Sequence, residues 1–396
     1  MIRRVGERVL QKIPKTQAAY QGGRSTTEQV FVFRSLAEKA ISSKDYTVHA
    51  IMMDMSRAFD TVDRNKLMLD LAKILEEDEL HIMKLMIEDV QFVVRCGQNK
   101  GKPFVTNIGT PQGDCLSPIL FILYLANALK IDNQGLQKNI NKEEEGKRGD
   151  TIDEQYADDI GWVTNGPKQN IEELKASIPP KLKERGLLVN REKDEEFSIT
   201  YKGNEEWKNV LLLGSLIDTK QDFKRRKMLS LVAIRAFDDI WCNKRITLKV
   251  KLRNFKAFVE SIALYNSELW TVSKKMQKDI DSFQRRLLRY VLNIRYPKKI
   301  SNERLKVIVK QKPWSEVIKI RRIKWLGHLL RLPEGSSAKR TLYIVEKEVS
   351  QRKGRQILTW LNLVIADMKE LGVDWEVSKT SAQDRKRWQN LVNLLI

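Results

Sequence analysis

The chain has 396 residues, 42% of them hydrophobic, enough for two or three domains around a sizeable core. Cys96, Cys115 and Cys242 are odd in number and far apart, which excludes a disulfide scaffold and a zinc spacing and fits a reducing, intracellular compartment. His49, His81 and His328 are equally scattered and read as structural or surface residues. The formal charge is +21, and it is segregated: residues 221 to 360 hold 35 Lys and Arg against 12 Asp and Glu, while the remainder holds 37 against 39. A basic half of this kind suits a phosphate backbone; the bland alternative is a merely soluble basic surface.

Residues Met1 to Leu10 lack the long apolar core of a secretory signal; they read as the start of an amphipathic transit peptide or, by preference, as a short helix. From Thr26 to Ala40 the apolar positions Val30, Phe33, Leu36, Ala37 and Ala40 recur at helical spacing, and this helix is expected to pack beneath the sheet that follows. That sheet begins with Val48-His49-Ala50-Ile51-Met52-Met53, a strand that delivers Asp54. Helices are expected from about Arg64 to Leu75 and from Glu79 to Val90. Asp60 is either catalytic or the cap of the first of these helices, and the helical pattern after Thr61-Val62-Asp63 favours the cap.

Gly109-Thr110-Pro111-Gln112-Gly113-Asp114-Cys115-Leu116-Ser117-Pro118 reads as a shaped loop running into a helix over Ile119 to Leu129. Its glycines permit unusual backbone angles, Ser117 suits an N-cap and Pro118 suits the first helical position. The apolar run Leu116 to Leu129 is too short to span a bilayer, so no membrane segment is expected. Asn133 to Asp150 is polar and charge-mixed and reads as a mobile surface connection.

Ile152 to Val163 is a β-prone run interrupted by the adjacent carboxylates Asp158 and Asp159 and followed by the turn signal Thr164-Asn165-Gly166-Pro167. A β-hairpin with the Asp pair near its bend is the expectation. Two neighbouring carboxylates repel unless a cation sits between them, so both stay ionised most easily beside a divalent metal, and an all-oxygen site suits magnesium. Taken alone, the tetrapeptide Tyr156-Ala157-Asp158-Asp159 is as well explained by a solvated turn. If Asp54 lies beside it, three carboxylates converge and could hold two metals about 4 Å apart, an arrangement suited to in-line phosphoryl transfer.

Past this point Pro179-Pro180 is expected to separate a helix over Ile171 to Ser177 from a second one ending at Arg185. Later helices, over Ile246 to Tyr265, Ile280 to Leu292 and Val317 to Leu330, pair apolar stripes with arginines and lysines. Trp325 on the last of them either stacks on a base or is buried in the bundle, and its helical spacing to Leu329 favours burial.

Three ordered motifs carry a resemblance. Asp54 with Ala58-Phe59-Asp60, Pro111-Gln112-Gly113-Asp114 with Leu116-Ser117-Pro118, and Tyr156-Ala157-Asp158-Asp159 together resemble the palm motifs of non-LTR (LINE-like) retrotransposon reverse transcriptases. Gln17 to Glu28, Gly186-Leu187-Leu188-Val189-Asn190 with Lys193, Leu212-Leu213-Gly214-Ser215, and Arg321 to His328 extend the likeness over nearly the whole chain.

That resemblance implies an α+β right-hand polymerase: partial fingers and palm over residues 1–220, a helical thumb over 221–300 and a C-terminal helical basic subdomain over 301–396. It implies Asp54, Asp158 and Asp159 as ligands of two magnesium ions, with manganese as a substitute, and Lys193 as the acid that protonates pyrophosphate. Asp194 stands where relatives usually carry Thr or Ser. Phe59 is implied beneath the nucleotide sugar, where a large ring selects deoxynucleotides, against the alternative of a core aromatic. Gln112 and Gly113 are implied at the incoming nucleotide, although an amide in a glycine-flanked loop is also a common turn residue.

Arg24, Leu213, Gly214 and the run Lys224-Arg225-Arg226-Lys227 are implied as nucleic-acid contacts, and the basic run reads equally well as a nuclear localisation signal. The implied partners are dNTPs, an RNA template and a DNA primer or RNA·DNA hybrid, in nucleus or cytoplasm. Relatives carry basic finger residues before the Gln17 segment and a nuclease domain, so the chain reads as a truncated copy or a fragment. An RNA-dependent RNA polymerase is disfavoured by Phe59. The alternative from another class is a binding remnant that keeps the basic thumb but not useful polymerisation.

Overall fold

The strand that ends just before Asp54 is an inner strand of the largest sheet. In the computed structural model, which describes residues 2–140, 151–349 and 358–394, Val48–Met53 pairs antiparallel with Glu195–Ile199 on one side and with Asp159–Thr164 on the other. Thr151–Tyr156 closes the far edge as the hairpin partner of Asp159–Thr164. The fold is α+β, and the chain divides into two compact units: Met1–Gln29 with Ser43–Asn204, and Val30–Ser42 with Glu205–Ile396.

The core of the first unit is built around helix Ser117–Ile140, in which Leu120, Phe121, Ile122, Leu123, Tyr124 and Leu125 are all buried. A helix apolar on every side belongs in an interior, and this one packs with Ile51, Met53 and Ile160 of the sheet in a single cluster. Ser117, expected as the cap, is already the first helical residue, and the helix continues past Leu129 to Ile140, so the polar stretch from Asn133 begins as helix. Residues 141–150, the rest of that expected connection, lie outside the described residues.

Several boundaries differ from expectation for identifiable reasons. Helix Gln169–Glu184 runs unbroken through Pro179 and Pro180. Two prolines remove two backbone donors, but Ile171, Leu174, Ile178 and Leu182 form a fully buried stripe whose packing offsets that loss. The helices after Asp60 are Arg64–Leu71 and Glu77–Ile87, and Val90–Phe92 is already a strand, paired with Phe104–Thr106. Asp63, not Asp60, caps the first of them: its carboxylate accepts from the Asn65 and Lys66 amides.

Helix Thr26–Ser42 departs most from its expected place, since from Val30 onward it belongs to the second unit. Its buried Arg34 pairs with the fully buried Asp222 at 2.7 Å, and Phe31 meets Trp325 and Trp360 edge-on. Asp222 also accepts from the Trp270 indole at 3.0 Å and the Leu216 amide at 3.1 Å, which satisfies a charge that would otherwise be costly to bury. One apolar core joins Phe223, Phe255, Leu287 and Ile318, so helices Thr219–Arg235, Leu248–Phe255, Lys274–Val291 and Trp314–Arg331 form a continuous bundle. Trp325, on the last of these helices, is buried.

Candidate active site

The Tyr156 to Asp159 turn is a tight hairpin bend. Tyr156 pairs directly with Asp159, leaving Ala157 and Asp158 as the two central residues. Ala157 has φ +55, a left-handed conformation that hairpin turns usually give to glycine and that costs an alanine about 1 kcal/mol. The bend is gripped from outside. Gln17 is fully buried, its Oε1 accepts from the Ala157 N–H at 2.9 Å and from the Ala19 N–H at 3.0 Å, and its Nε2 donates to the Ala157 carbonyl at 3.4 Å. The adjoining backbone pairs with the same strand, the Ala18 amide donating to the Gln155 carbonyl at 2.9 Å and the Gln155 amide to the Thr16 carbonyl at 3.2 Å.

Register then brings Asp54 to the same end of the sheet. Met53 faces Ile160, so the residue after the strand end emerges beside Asp159. A two-residue ladder, Met55–Ser56 with Leu188–Val189, and a hydrogen bond from the Asn190 amide to the Asp54 carbonyl at 2.8 Å bring the segment carrying Lys193 against it. Lys193 Nζ lies 2.8 Å from Asp54 Oδ2.

The electrostatics are those of carboxylates short of positive charge. Burial, then the neighbouring Asp158 and Asp54, pushes Asp159 up to about 6. Asp158 is also raised, by burial first and by Asp54 after it, with Lys193 opposing. The Lys193 ammonium is raised in turn by its hydrogen bond to Asp54.

Among the described residues, no three His, Cys, Asp or Glu side chains are gathered closely enough to hold a metal unaided. The three aspartates thus share one end of the sheet without forming a closed cage. The donor set nevertheless fits magnesium, which takes one or two carboxylates and completes its shell with water and substrate phosphates. A divalent ion here would offset the burial and the mutual repulsion that raise Asp158 and Asp159.

The residues expected at the nucleotide lie on the neighbouring loops. Phe59 stacks on Phe121 at 4.5 Å between ring centroids and is partly buried against the core, so one face of the ring is held from below. Gln112 donates to Asp60 Oδ1 at 3.4 Å, which gives Asp60 a loop contact in place of the expected cap. Gly113 has φ +95, and a Cβ there would meet nothing within 4 Å, so its backbone conformation alone calls for glycine. Gly109 is constrained by space as well, since a Cβ there would come within 2.8 Å of the Asp60 carbonyl oxygen. Arg64, which the sequence did not single out, is buried and donates to the carbonyls of Thr106, Ile108 and Gly109, fixing the loop ahead of Gln112.

Of the expected nucleic-acid contacts, Arg24 is engaged by Glu28 at 2.6 Å and by the Lys15 carbonyl. In the second unit, Leu211–Leu212 and Ser215–Leu216 form a hairpin whose two bend residues, Leu213 and Gly214, both have positive φ. Arg225 donates to the Gly214 carbonyl at 2.8 Å, and Arg226 donates to the same oxygen while its guanidinium lies 4.6 Å over the Tyr265 ring. Arg226 is buried and therefore holds the hairpin instead of presenting a free charge. Lys227 sits over the Phe223 ring at 4.4 Å, and Lys224 is exposed to solvent.

An antiparallel sheet that presents a paired aspartate bend beside a third strand-end aspartate is the arrangement implied by the resemblance to polymerase palms. Residues 1–217 match the family described as reverse transcriptase (RNA-dependent DNA polymerase), and the chain belongs to that family, in its non-LTR retrotransposon branch. It is 25% identical over 311 residues to a Drosophila melanogaster protein named probable RNA-directed DNA polymerase from transposon BS, covering 72% of this chain and 33% of that one. A second relative from the same organism, named for transposon X-element, is 29% identical over 111 residues, 28% of this chain and 12% of that one. The chain thus spans about a third of the first relative's length. Among solved structures, apo telomerase from Candida tropicalis is similar at a TM-score of 0.47 with 15% identity, covering 100% of this chain and 61% of that one. Among the described residues no helix is long and apolar enough to cross a membrane.

Proposed function

We propose that the chain is an RNA-directed DNA polymerase that extends a DNA primer with dNTPs along an RNA template. The observation that carries this reading is the convergence of Asp54, Asp158 and Asp159 at one end of the sheet, with Lys193 hydrogen-bonded to Asp54. When bound there, two magnesium ions, or manganese in their place, supply activation of the primer 3′-hydroxyl and neutralisation of the leaving pyrophosphate. Asp54 and Asp158 would hold them and Asp159 would support the pair.

Lys193 has a proton to give. Its raised affinity for that proton keeps it charged while it faces Asp54, and release from the ion pair on nucleotide binding frees it to protonate pyrophosphate. Phe59, stacked from below on Phe121, presents its free face to the sugar and excludes a 2′-hydroxyl, and Gln112 with the Gly113 backbone lines the nucleotide. Fingers and palm over 1–220, thumb over 221–300 and a basic subdomain over 301–396 divide the labour. Leu213 and Gly214 touch the primer, while exposed Lys224 meets phosphate by charge and shape in a near A-form hybrid. Three exposed free cysteines suit a reducing compartment, nucleus or cytoplasm.

Primer extension on poly(rA)·oligo(dT) with dTTP or UTP, by the wild-type chain and Phe59→Ala, tests this. The expected result is extension with dTTP and a relaxed preference in Phe59→Ala. Salt-sensitive hybrid binding without any extension would instead leave only a binding protein.

A further inference from the structure

The catalytic bend contains an alanine in a backbone conformation that disfavours it, and one buried side chain from a distant segment holds both the N–H and the carbonyl of that alanine. We infer that Gln17 is a positioning residue of the active site: its amide clamps Ala157 and so fixes the direction in which Asp158 and Asp159 leave the hairpin. The inference rests on the polymerase reading above.

Gln17 is suited to this by chemistry. A primary amide carries an acceptor and a donor on one planar group, and both are needed to grip an N–H and a C=O of the same residue. Here Oε1 takes the Ala157 N–H at 2.9 Å and Nε2 reaches the Ala157 carbonyl at 3.4 Å. Glutamate would lack the donor and would place a charge at a fully buried position beside two aspartates.

The clamp is itself anchored. The Ala19 N–H shares Oε1 at 3.0 Å, the Gln21 side chain donates to the Gln17 carbonyl at 2.8 Å, and Gln17 bridges to Gln155 in parallel register. The Gln155 carbonyl takes a second donor from the buried Gln29 side chain. The peptides of Gln155 and Ala157 are therefore both held by the Thr16 to Ala19 segment, immediately before the two carboxylates. Carboxylates that must meet transferring phosphates tolerate little misplacement, and about 1 Å can cost about 100-fold in rate.

The experiment compares the full chain with Gln17→Ala, with Ala157→Gly, and with both changes together. Three readings are taken: kcat and KM for dTTP on poly(rA)·oligo(dT), amide hydrogen exchange of residues 155 to 159, and exchange of the Val48–Met53 strand. Gln17→Ala should lower kcat by about 100-fold with KM changed by less than about three-fold. Exchange at the bend should quicken by about ten-fold or more while the Val48–Met53 strand keeps its protection. Adding Ala157→Gly to Gln17→Ala should recover most of the lost kcat, because glycine takes positive φ without the clamp.

Unchanged kcat in Gln17→Ala overturns the inference. So does a loss that glycine fails to recover while exchange rises throughout the sheet, the signature of a general packing role. A wild-type chain that extends no primer defeats the polymerase reading itself, and the exchange readings then decide separately whether Gln17 holds the bend.

Discussion

Lys193 Nζ and Asp54 Oδ2 meet at 2.8 Å although 139 residues separate them in the chain. The contact follows from two short pieces of backbone pairing, Met55 with Val189 and the Asn190 amide with the Asp54 carbonyl, and not from the attraction of the charges alone. It places a cation where the acidic end of the sheet most needs one.

An exposed pair of this kind contributes little to stability, and a proton donor contributes much to rate. Lys193→Met should leave the thermal midpoint unchanged within error while lowering single-turnover nucleotide incorporation by about 100-fold or more. A melt beside a single-turnover assay separates the two. A large loss of stability with intact incorporation would reverse the assignment.

In the helical bundle of the second unit, Gly327 sits where a Cβ would collide with a neighbouring ring. A Cβ at Gly327 would lie 2.1 Å from the Trp388 indole nitrogen, and that indole is buried and donates to the Ile323 carbonyl at 3.2 Å. Gly327→Ala should therefore destabilise the chain by about 3 kcal/mol. In a Trp388→Val background the same change should cost less than about 1 kcal/mol. Equal costs in both backgrounds, measured by urea unfolding, would show that the indole is not the obstacle.

Glu38 makes stability depend on pH. Burial pushes its carboxyl up to about 7 from 4.5, against hydrogen bonds from the Thr271 hydroxyl and the Trp360 amide. Below 4.5 the folded and unfolded chains both hold the proton. Between there and about 7 only the folded chain holds it, so this group's contribution falls as pH rises and reaches its full penalty above 7, on the order of 3 kcal/mol. Glu38→Gln removes the charge and lets the Thr271 hydroxyl turn to accept from the new amide. The variant should match the wild type near pH 5 and exceed it near pH 8 in urea midpoint. Parallel curves across that range would show that Glu38 is not the titrating group.

The hairpin that carries Asp158 and Asp159 was legible because its signals are local: a β-prone run, an aspartate pair, a turn. Asp54 was legible for the same reason. What could not be read depends on distant partners. Asp60 reads as the cap by sequence, yet Asp63 takes that place because the helix starts at Arg64, whose guanidinium is committed to the 106 to 109 loop. Pro179 and Pro180 signal a break that a buried apolar stripe overrides. Arg226 looks like a phosphate contact in a basic run, yet its position on the inner face of helix Thr219–Arg235 turns it to the Gly214 carbonyl. Gln17 lay inside a segment with the family's look, and its pairing with Ala157 is visible only once the sheet is assembled.

The most direct test of the catalytic assignment is single-turnover primer extension on an RNA template with magnesium, by the wild-type chain and by Asp54→Asn, Asp158→Asn and Asp159→Asn. Loss of about a thousand-fold or more in Asp54→Asn and Asp158→Asn, a smaller loss in Asp159→Asn, and hybrid affinity within about three-fold of wild type throughout are the predicted results. Extension that persists in Asp54→Asn or Asp158→Asn would contradict the assignment of this end of the sheet as the catalytic centre.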